Sequence, residues 1–419
     1  MKGISKFALA LGASLLMSTA VLAQEKVFKI WWYEAADSAA GITWAQALEE
    51  FKAKHPDVKV QFELKTFDQI TKSGTMILNS AEAPDLMEYN KGNAVAGLAA
   101  SQGLLTDLED IAKERGWDKV LTDASNQLSR YDENGIYGNG PLIGVANYGE
   151  FVSVFYNEDM FKAEGVEVPK TLEEMEKVMD VFVKKGITPI AEAANDYPAQ
   201  RLMYLFALSK VDAKWVSDFQ AVRAPLDPAP FVYAGQKLQD WVAKGYISKD
   251  ATGLKAPDMA NLFETGKSPM VVTGTWYSTQ FGKIKNFKAS QFLFPGNVIS
   301  PASTGNIWVV PKNAKNKDLA YEFIDITLSK ENQALFGNSG GVPIAADPAD
   351  VTDPVGKTGV ELFNKLSADN GLGFYPDWPV PGYYDVMLKA TQAVIGGSIT
   401  PEEFAERLKE PYDEVQGDQ

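Results

Sequence analysis

The stretch that decides the fold is residues 27–64, which read VFKIWWYEAADSAAGITWAQALEEFKAKHPDVKVQFEL. It opens with an apolar, β-favouring run at 27–32, which predicts a strand. Within residues 44–51 apolar side chains recur every three or four positions, which predicts an amphipathic helix. Residues 58–64 then alternate apolar and polar side chains, as a second strand does. Strand, helix and strand within about forty residues predict a βαβ unit, whose parallel strands are joined by a right-handed crossover.

The same alternation of strands and helices continues along the chain. A proline precedes a short predicted strand at 85–89, and residues 306–311 predict another buried strand. The apolar run at 151–156 is too continuous for a half-exposed strand and is typical of a central one. The predicted fold class is therefore α/β, with no internal repeat and no long linker.

Two helix starts carry capping signals. Thr171 precedes a predicted helix and Glu174 stands three residues later, which predicts a capping box; Gly186 marks the end of that helix. Near the carboxyl terminus Thr400 and Glu403 repeat the pattern, with proline at the first helical position.

Composition excludes several kinds of chemistry. The chain has 419 residues, which predicts two or three domains, and its 45% hydrophobic and 23% charged residues are typical of a globular protein. Cysteine is absent, so disulfides, zinc-ribbon sites, thiol nucleophiles and a lipid-bearing cysteine are excluded. His55 is the only histidine, which excludes metal sites that need two imidazoles. We predict no cofactor and no metal.

The first 23 residues are predicted to be a signal peptide. Lys2 and Lys6 precede an apolar segment at 7–16, and Val21-Leu22-Ala23 has the small residues of a cleavage site, so cleavage is expected after Ala23. The mature chain would carry 38 basic and 55 acidic residues, a net charge of 38 − 55 = −17. Such a charge disfavours nucleic acid and anionic lipid as partners. No later apolar run reaches the roughly 20 residues that a membrane helix needs. We predict an exported, periplasmic protein.

Several segments resemble, in order and spacing, the family 1 extracellular solute-binding proteins of ATP-driven carbohydrate importers. They are FKAKHPDVKV at 51–60, APDL at 83–86, VFYN at 154–157 with PKT at 169–171, FETGKSPM at 263–270 running into GTW at 274–276, VPKNAKN at 310–316 followed by AYEFI at 320–324, and the tail at 393–400.

The resemblance implies a two-lobe periplasmic-binding-protein fold similar to type II, with a ligand cleft between the lobes and hinge crossings that let it close. By the matched segments, lobe 1 comprises residues 24–148 and 293–326, and lobe 2 comprises residues 149–292 and 327–419. Several crossings restrict the relative motion of the lobes to bending.

A sugar presents hydroxyls at its rim and C–H groups on its faces, so its site needs carboxylates or amides together with aromatic rings. Trp276 follows a predicted strand through a glycine turn, and relatives place a sugar-stacking ring there. Glu34 and Asp37 follow the first strand, at the edge where open α/β sheets bind ligands. The alternative for Trp276 is a position in the core. The alternative for Glu34 and Asp37 is a solvated surface position without a ligand.

The resemblance and the strand ends supply the remaining candidates. Arg201 is of particular interest, because an arginine in the cleft suits a carboxylate, sulfonate or phosphate on the ligand. The alternative for Arg201 is a salt bridge on a lobe surface. Gly340 and Gly341 permit close backbone approach or form a plain turn. The full set of predicted ligand-binding residues is Tyr33, Glu34, Asp37, Tyr89, Asn90, Tyr148, Glu150, Tyr197, Gln200, Arg201, Trp276, Gly340, Gly341, Trp378 and Tyr383.

The function that the resemblance implies is a non-catalytic, monomeric receptor that captures a carbohydrate, closes, and delivers it to the permease subunits of an importer. One alternative keeps this role and changes the ligand to a charged solute, such as a sugar phosphate, a sulfonate or a polyamine. A more remote alternative is an exported glycoside hydrolase, since two suitably placed carboxylates suffice for that reaction.

Overall fold

The computed structural model describes residues 26–121 and 127–417. The predicted signal peptide, at 1–23, lies outside these residues. The strands are β1 (Lys26–Trp32), β2 (Val58–Leu64), β3 (Leu86–Tyr89), β4 (Arg130–Tyr131), β5 (Tyr137–Leu142), β6 (Val145–Ala146), β7 (Tyr148–Asn157), β8 (Ile190–Ala191), β9 (Met270–Gly274), β10 (Ala289–Phe292), β11 (Ala302–Thr304), β12 (Ile307–Val309) and β13 (Val342–Pro343).

The helices surround these strands. They are α1 (Ala39–Lys54), α2 (Phe67–Leu78), α3 (Leu98–Ser101), α4 (Glu109–Arg115), α5 (Trp117–Val120), α6 (Glu158–Glu164), α7 (Leu172–Val183), α8 (Pro198–Leu208), α9 (Ala213–Gln220), α10 (Ala229–Ala243), α11 (Ala256–Glu264), α12 (Ser278–Gly282), α13 (Lys317–Thr327), α14 (Lys330–Asn338), α15 (Pro354–Ala368), α16 (Tyr383–Gly396) and α17 (Pro401–Gly417). In the described ranges, no helix combines the length and the apolar character needed to cross a bilayer.

The first sheet is built on the predicted βαβ unit. Its strand order is β2-β1-β3-β12-β6, and β1 pairs with β2 in parallel from Lys26 opposite Val58 to Trp32 opposite Leu64. Helix α1 covers one face, where the Trp44 ring lies 6.1 Å from that of Trp32. The βαβ prediction is confirmed.

Strand β2 is the edge of this sheet and is more exposed than its alternation suggests. Phe62 and Leu64 are 39% and 54% exposed. The alternating pattern therefore identifies the strand correctly, but an edge strand leaves much of its apolar surface uncovered.

The second sheet is centred on β7, a strand of ten residues that is buried along nearly all its length, as the continuous apolar run predicts. The strand order is β10-β7-β9-β8, and β11 and β13 pair with the first half of β7. One long strand therefore organises this sheet.

The chain passes directly from one sheet to the other. Strand β6 of the first sheet ends at Ala146 and β7 of the second begins at Tyr148, so Asn147 alone separates them. Two segments lie differently from their predicted lobes: β11 pairs with β7 of the second sheet, and α14 packs against α1 of the first. The lobe bounds given above stay a prediction.

Glu192 is a carboxylic acid buried at the end of β8. It is 2% exposed, one carboxyl oxygen accepts a hydrogen bond from the Ala193 N–H at 2.8 Å, and the other has no partner. Burial raises the pKa of Glu192 to about 8, from 4.5. Between those values the folded chain holds a proton that the unfolded chain releases, so this group lowers stability as pH rises from 4.5 to 8.

We expect Glu192→Gln to flatten this pH dependence. At pH 7 the variant should be more stable by about 1 kcal/mol, because the lost linkage penalty exceeds the cost of burying the amide N–H groups. Near pH 4.5 the glutamine variant should gain nothing. Urea unfolding at a series of pH values measures both, with the exposed Glu173→Gln as control. A pH dependence equal to that of the parent chain would contradict the assignment.

Candidate functional site

A cavity of about 370 Å³ lies where residues following strands of the first sheet meet residues of the second. Ligand pockets of proteins typically measure about 300–1,000 Å³. The wall of this cavity consists of Tyr33, Glu34, Ala35, Asp37, Ser38, Phe67, Asn90, Glu150, Tyr197, Arg201, Pro257, Trp276, Tyr277, Gln280, Asn306, Tyr375 and Trp378.

The loop between β1 and α1 supplies one side of the wall, and its shape is fixed locally. Ser38 caps α1, because its hydroxyl oxygen accepts a hydrogen bond from the Gly41 N–H at 3.0 Å. A Cβ atom at Gly41 would lie 2.0 Å from the Ala35 carbonyl oxygen, so only glycine allows this close approach. The loop therefore holds Glu34 and Asp37 in place at the carboxyl end of β1.

Two carboxyl groups, those of Glu34 and Glu88, lie side by side on this side of the cavity. Glu88 accepts hydrogen bonds from the Tyr33 N–H at 3.0 Å and from the Asn306 amide at 3.1 Å. Burial, and then the adjacent Glu34, raise the pKa of Glu88 well above its usual range, while burial also raises the pKa of Glu34. Of the two, Glu88 therefore keeps its proton to higher pH, and Glu34 ionises first.

Aromatic rings form another part of the wall. Strand β9 ends at Gly274, and the following turn carries the half-buried Trp276 onto the wall. The Trp276 indole N–H donates to the Tyr197 hydroxyl at 2.9 Å, and its ring lies 6.3 Å from that of Tyr375. A Cβ atom at Gly274 would lie 2.0 Å from the Trp276 ring, so the glycine makes room for it.

Arg201 of α8 lies on the wall, and its charge is already paired. Its Nη1 donates to Asp377 Oδ1 at 2.5 Å, and both side chains are buried. The guanidinium also lies 4.5 Å from the centre of the Tyr375 ring, while Arg201 Nε has no hydrogen-bond partner. Arg201 was expected either to bind an anionic ligand group or to form a salt bridge on a lobe surface. The structure shows a salt bridge, and this pair is buried.

A buried carboxyl group and a buried amine, those of Glu150 and Lys91, interact at the cavity wall. Glu150 of β7 lines the wall, and Lys91, just after β3, donates a hydrogen bond to the Thr304 hydroxyl. Burial raises the pKa of Glu150 to about 7, partly offset by Lys91. Burial lowers the pKa of Lys91 to about 7, partly offset by Glu150. The pair links the first sheet to the central strand of the second.

The structure brings nine of the fifteen predicted site residues onto one wall, and they come from distant parts of the sequence. They are Tyr33, Glu34, Asp37, Asn90, Glu150, Tyr197, Arg201, Trp276 and Trp378. Their binding of a ligand stays a proposal.

The other six predicted residues lie elsewhere. Two tyrosines are structural: the Tyr89 ring packs under Gly74 of α2, and the Tyr383 hydroxyl donates to the Leu408 carbonyl at 2.9 Å. Tyr148 stacks on Phe336 at 5.2 Å and lies just behind the wall.

The last three of the six are also packing positions. Gln200 is fully buried and donates to the Tyr384 carbonyl at 3.4 Å. Gly340 has a positive φ of 92° beside Thr279, and Gly341 packs on Phe336, so this pair forms a turn away from the cavity.

Eight wall residues are absent from the predicted set, and they are Ala35, Ser38, Phe67, Pro257, Tyr277, Gln280, Asn306 and Tyr375. A helical signal could have found two of them: residues 276, 277 and 280 lie on one face of a helical turn. Asn306 gives no local signal, since its amide reaches Glu88 and the Tyr148 hydroxyl only in the folded chain.

In the described part of the chain, no group of three or more histidine, cysteine, aspartate or glutamate side chains is arranged to hold a metal ion. The chemistry that this wall offers is hydrogen bonding by carboxylates and amides combined with aromatic packing.

Solved structures share this fold. A chitin oligosaccharide binding protein is 20% identical, covers 93% of this chain and 99% of its own, and superimposes with a TM-score of 0.80. The bacterial solute receptor AcbH, described as preferring β-D-galactopyranose, is 18% identical, covers 94% of this chain and all of its own, and gives a TM-score of 0.73. The two-lobe α/β fold predicted from the sequence is confirmed.

Sequence relatives agree with the structural ones. A probable sugar-binding periplasmic protein of Rhizobium meliloti (strain 1021) is 24% identical over 384 residues, which is 87% of each chain. The family model described as bacterial extracellular solute-binding protein matches residues 35–334, well over half of the chain. The chain therefore belongs to the bacterial extracellular solute-binding protein family.

Proposed function

We propose that this protein is the carbohydrate-capturing receptor of an ABC importer, acting in the periplasm and delivering its ligand to inner-membrane permease subunits. The observation that carries the proposal is the composition of the cavity wall, which combines aromatic rings with carboxylates and amides. The relatives named for periplasmic sugar binding support the same role and location.

The wall matches the two surfaces of a sugar ring. Trp276, Tyr197 and Tyr375 offer aromatic surface for the C–H face. Glu34, Asp37 and Asn90 offer oxygen acceptors, and Asn90 also offers N–H donors, for hydroxyls at the rim. We propose the nine predicted residues on the wall, together with Phe67, Tyr277, Gln280, Asn306 and Tyr375, as the ligand-binding set.

Capture would proceed by bending at the crossings between the sheets. Asn147 is one crossing, and Gly305-Asn306, between β11 of the second sheet and β12 of the first, is another. Short crossings of this kind favour closure as rigid bodies around the ligand. The site would then be completed by residues from both sides.

Two alternatives have less support. An anionic ligand needs an open guanidinium fork, but Asp377 already pairs with Arg201. A hydrolase needs a carboxylate pair flanking the scissile bond, whereas Glu34 and Glu88 lie together on the same side of the cavity. We propose a non-catalytic, monomeric receptor without a cofactor.

A thermal-shift panel of neutral, amino and acidic mono- and oligosaccharides tests the proposal. A sugar at 100 times its dissociation constant should stabilise the protein by about 2.7 kcal/mol. The bound sugar should be recovered unchanged after prolonged incubation. A panel in which no carbohydrate raises the melting temperature, or in which a sugar is cleaved, would contradict the proposed function.

A further inference from the structure

The cavity wall carries more negative than positive charge. Three wall residues, Glu34, Asp37 and Glu150, have carboxylate side chains, and the one guanidinium is that of Arg201. Arg201 is neutralised by the buried Asp377, so it contributes no free positive charge. In the described residues, none of the three wall carboxylates has a basic nitrogen within 4.0 Å.

The three acids differ in what surrounds them. Glu150 faces the buried Lys91, whose charge offsets its own. Asp37 is exposed, and the amine of Lys283 donates to its main-chain oxygen at 3.3 Å. Glu34 has no such neighbour: its oxygen contacts the Tyr148 hydroxyl and the Asn306 amide, each at 3.4 Å.

The second acid, Glu88, favours ionisation of Glu34 over its own. Burial and the Glu34 carboxylate raise the pKa of Glu88 well above its usual range, whereas burial raises the pKa of Glu34 and a hydrogen bond with Glu88 opposes that rise, so Glu34 ionises first. Glu34 is half-buried on the cavity wall, and in the described residues no basic nitrogen lies within 4.0 Å of its carboxylate. Burying an unpaired charge is unfavourable, and a cation that enters the cavity would offset that cost.

Ligand charge should therefore decide affinity. A neutral sugar offers Glu34 only hydroxyl donors, whereas an ammonium group makes a charge-assisted hydrogen bond that is roughly twice as strong. A carboxylate on the ligand would add repulsion from the wall acids.

Resting on the proposed function, we propose that the ligand is a sugar with a free, positively charged amino group, the class of amino-deoxy sugars, and that Glu34 binds this group. The aromatic rings of Trp276 and Tyr197 on the same wall hold the ring face. This assigns Glu34 as a specificity-determining residue.

Matched sugars test the proposal with the unmodified protein. Isothermal titration at pH 7 compares D-glucosamine with D-glucose, D-galactosamine with D-galactose, and both amines with their N-acetyl forms and with D-glucuronate. In the best-binding pair, the free amine should bind about tenfold more tightly than the neutral sugar. Acetylation should remove the advantage, and glucuronate should bind most weakly.

A single substitution tests whether Glu34 causes the preference for the amine. Glu34→Gln keeps the shape of the side chain and removes its charge, so it should weaken binding of the amine more than that of the neutral sugar, and the ratio of their affinities should fall about tenfold. The matched control is Glu410→Gln on the exposed surface of α17, which should change neither. Equal binding of amine and neutral sugar would overturn this inference and leave the proposed function standing, and so would a preference that persists in Glu34→Gln. Absence of binding by every sugar would overturn both.

Discussion

Replacing Asp377 by asparagine is expected to lower the free energy of unfolding by about 3–5 kcal/mol. The Arg201 and Asp377 side chains are only 6% and 3% exposed, and their nitrogen and oxygen lie 2.5 Å apart. Asparagine keeps the shape and an acceptor oxygen, but it leaves the guanidinium as an uncompensated charge. Chemical denaturation at pH 7 measures the loss.

An exposed ion pair provides the matched control. Lys365 and Asp369 are also 2.5 Å apart, but their side chains are 63% and 45% exposed. Asp369→Asn should therefore cost less than about 1 kcal/mol. The double change Arg201→Met with Asp377→Asn should recover part of the stability, since it removes the stranded charge. If Asp377→Asn cost no more than Asp369→Asn, the buried pair would not have the role assigned to it.

Replacing Trp276 by alanine should weaken sugar binding by about 2 kcal/mol or more, roughly 30-fold, with a smaller effect on stability. Of the two tryptophans on the wall, Trp276 is half-buried, whereas Trp378 is buried. Titration calorimetry measures the affinity, and thermal unfolding reports the stability. Trp215→Ala is the control, because that half-buried ring stacks on Phe219 away from the cavity.

A second variant separates the position of the ring from its presence. Gly274 has φ −90° and ψ 167°, which alanine adopts without strain, but the new Cβ atom would meet the Trp276 ring at 2.0 Å. Gly274→Ala should therefore displace the ring and reduce affinity about as far as Trp276→Ala does. Unchanged affinity in both variants would show that Trp276 does not contact the ligand.

Local patterns predicted much of the fold because each rests on neighbouring residues. The Thr171 hydroxyl accepts from the Glu174 N–H at 3.1 Å, as the capping signal predicts, but the Glu174 carboxylate accepts from the Lys170 N–H and not from that of Thr171, so the full capping box is not formed. Thr400 and Glu403 form both bonds of a capping box. These contacts depend on three-residue spacings, which a sequence displays directly.

The site was harder to predict because its members meet only through the crossings between sheets. Strand ends and the family resemblance predicted Glu34 and Trp276, which lie on the cavity wall. The same reasoning also predicted Tyr89 and Tyr383, which are aromatic like Trp276 but lie in packed interiors. Asn306 was missed because its partners, Glu88 and Tyr148, are more than 150 residues away. Arg201 was placed on the wall, but its partner Asp377 has no signal in the sequence.

Only Asn147 separates β6 from β7, so the number of residues at this junction is as constrained as their identity. Alternate residues of a strand face opposite sides of its sheet, so one inserted or deleted residue there would reverse the facing of the start of β7. Glu150 would leave the cavity wall, and Phe151, which is fully buried in the present structure, would face the cavity instead. Substitutions at this junction alter one side chain, whereas an insertion or deletion would exchange the two faces of the strand.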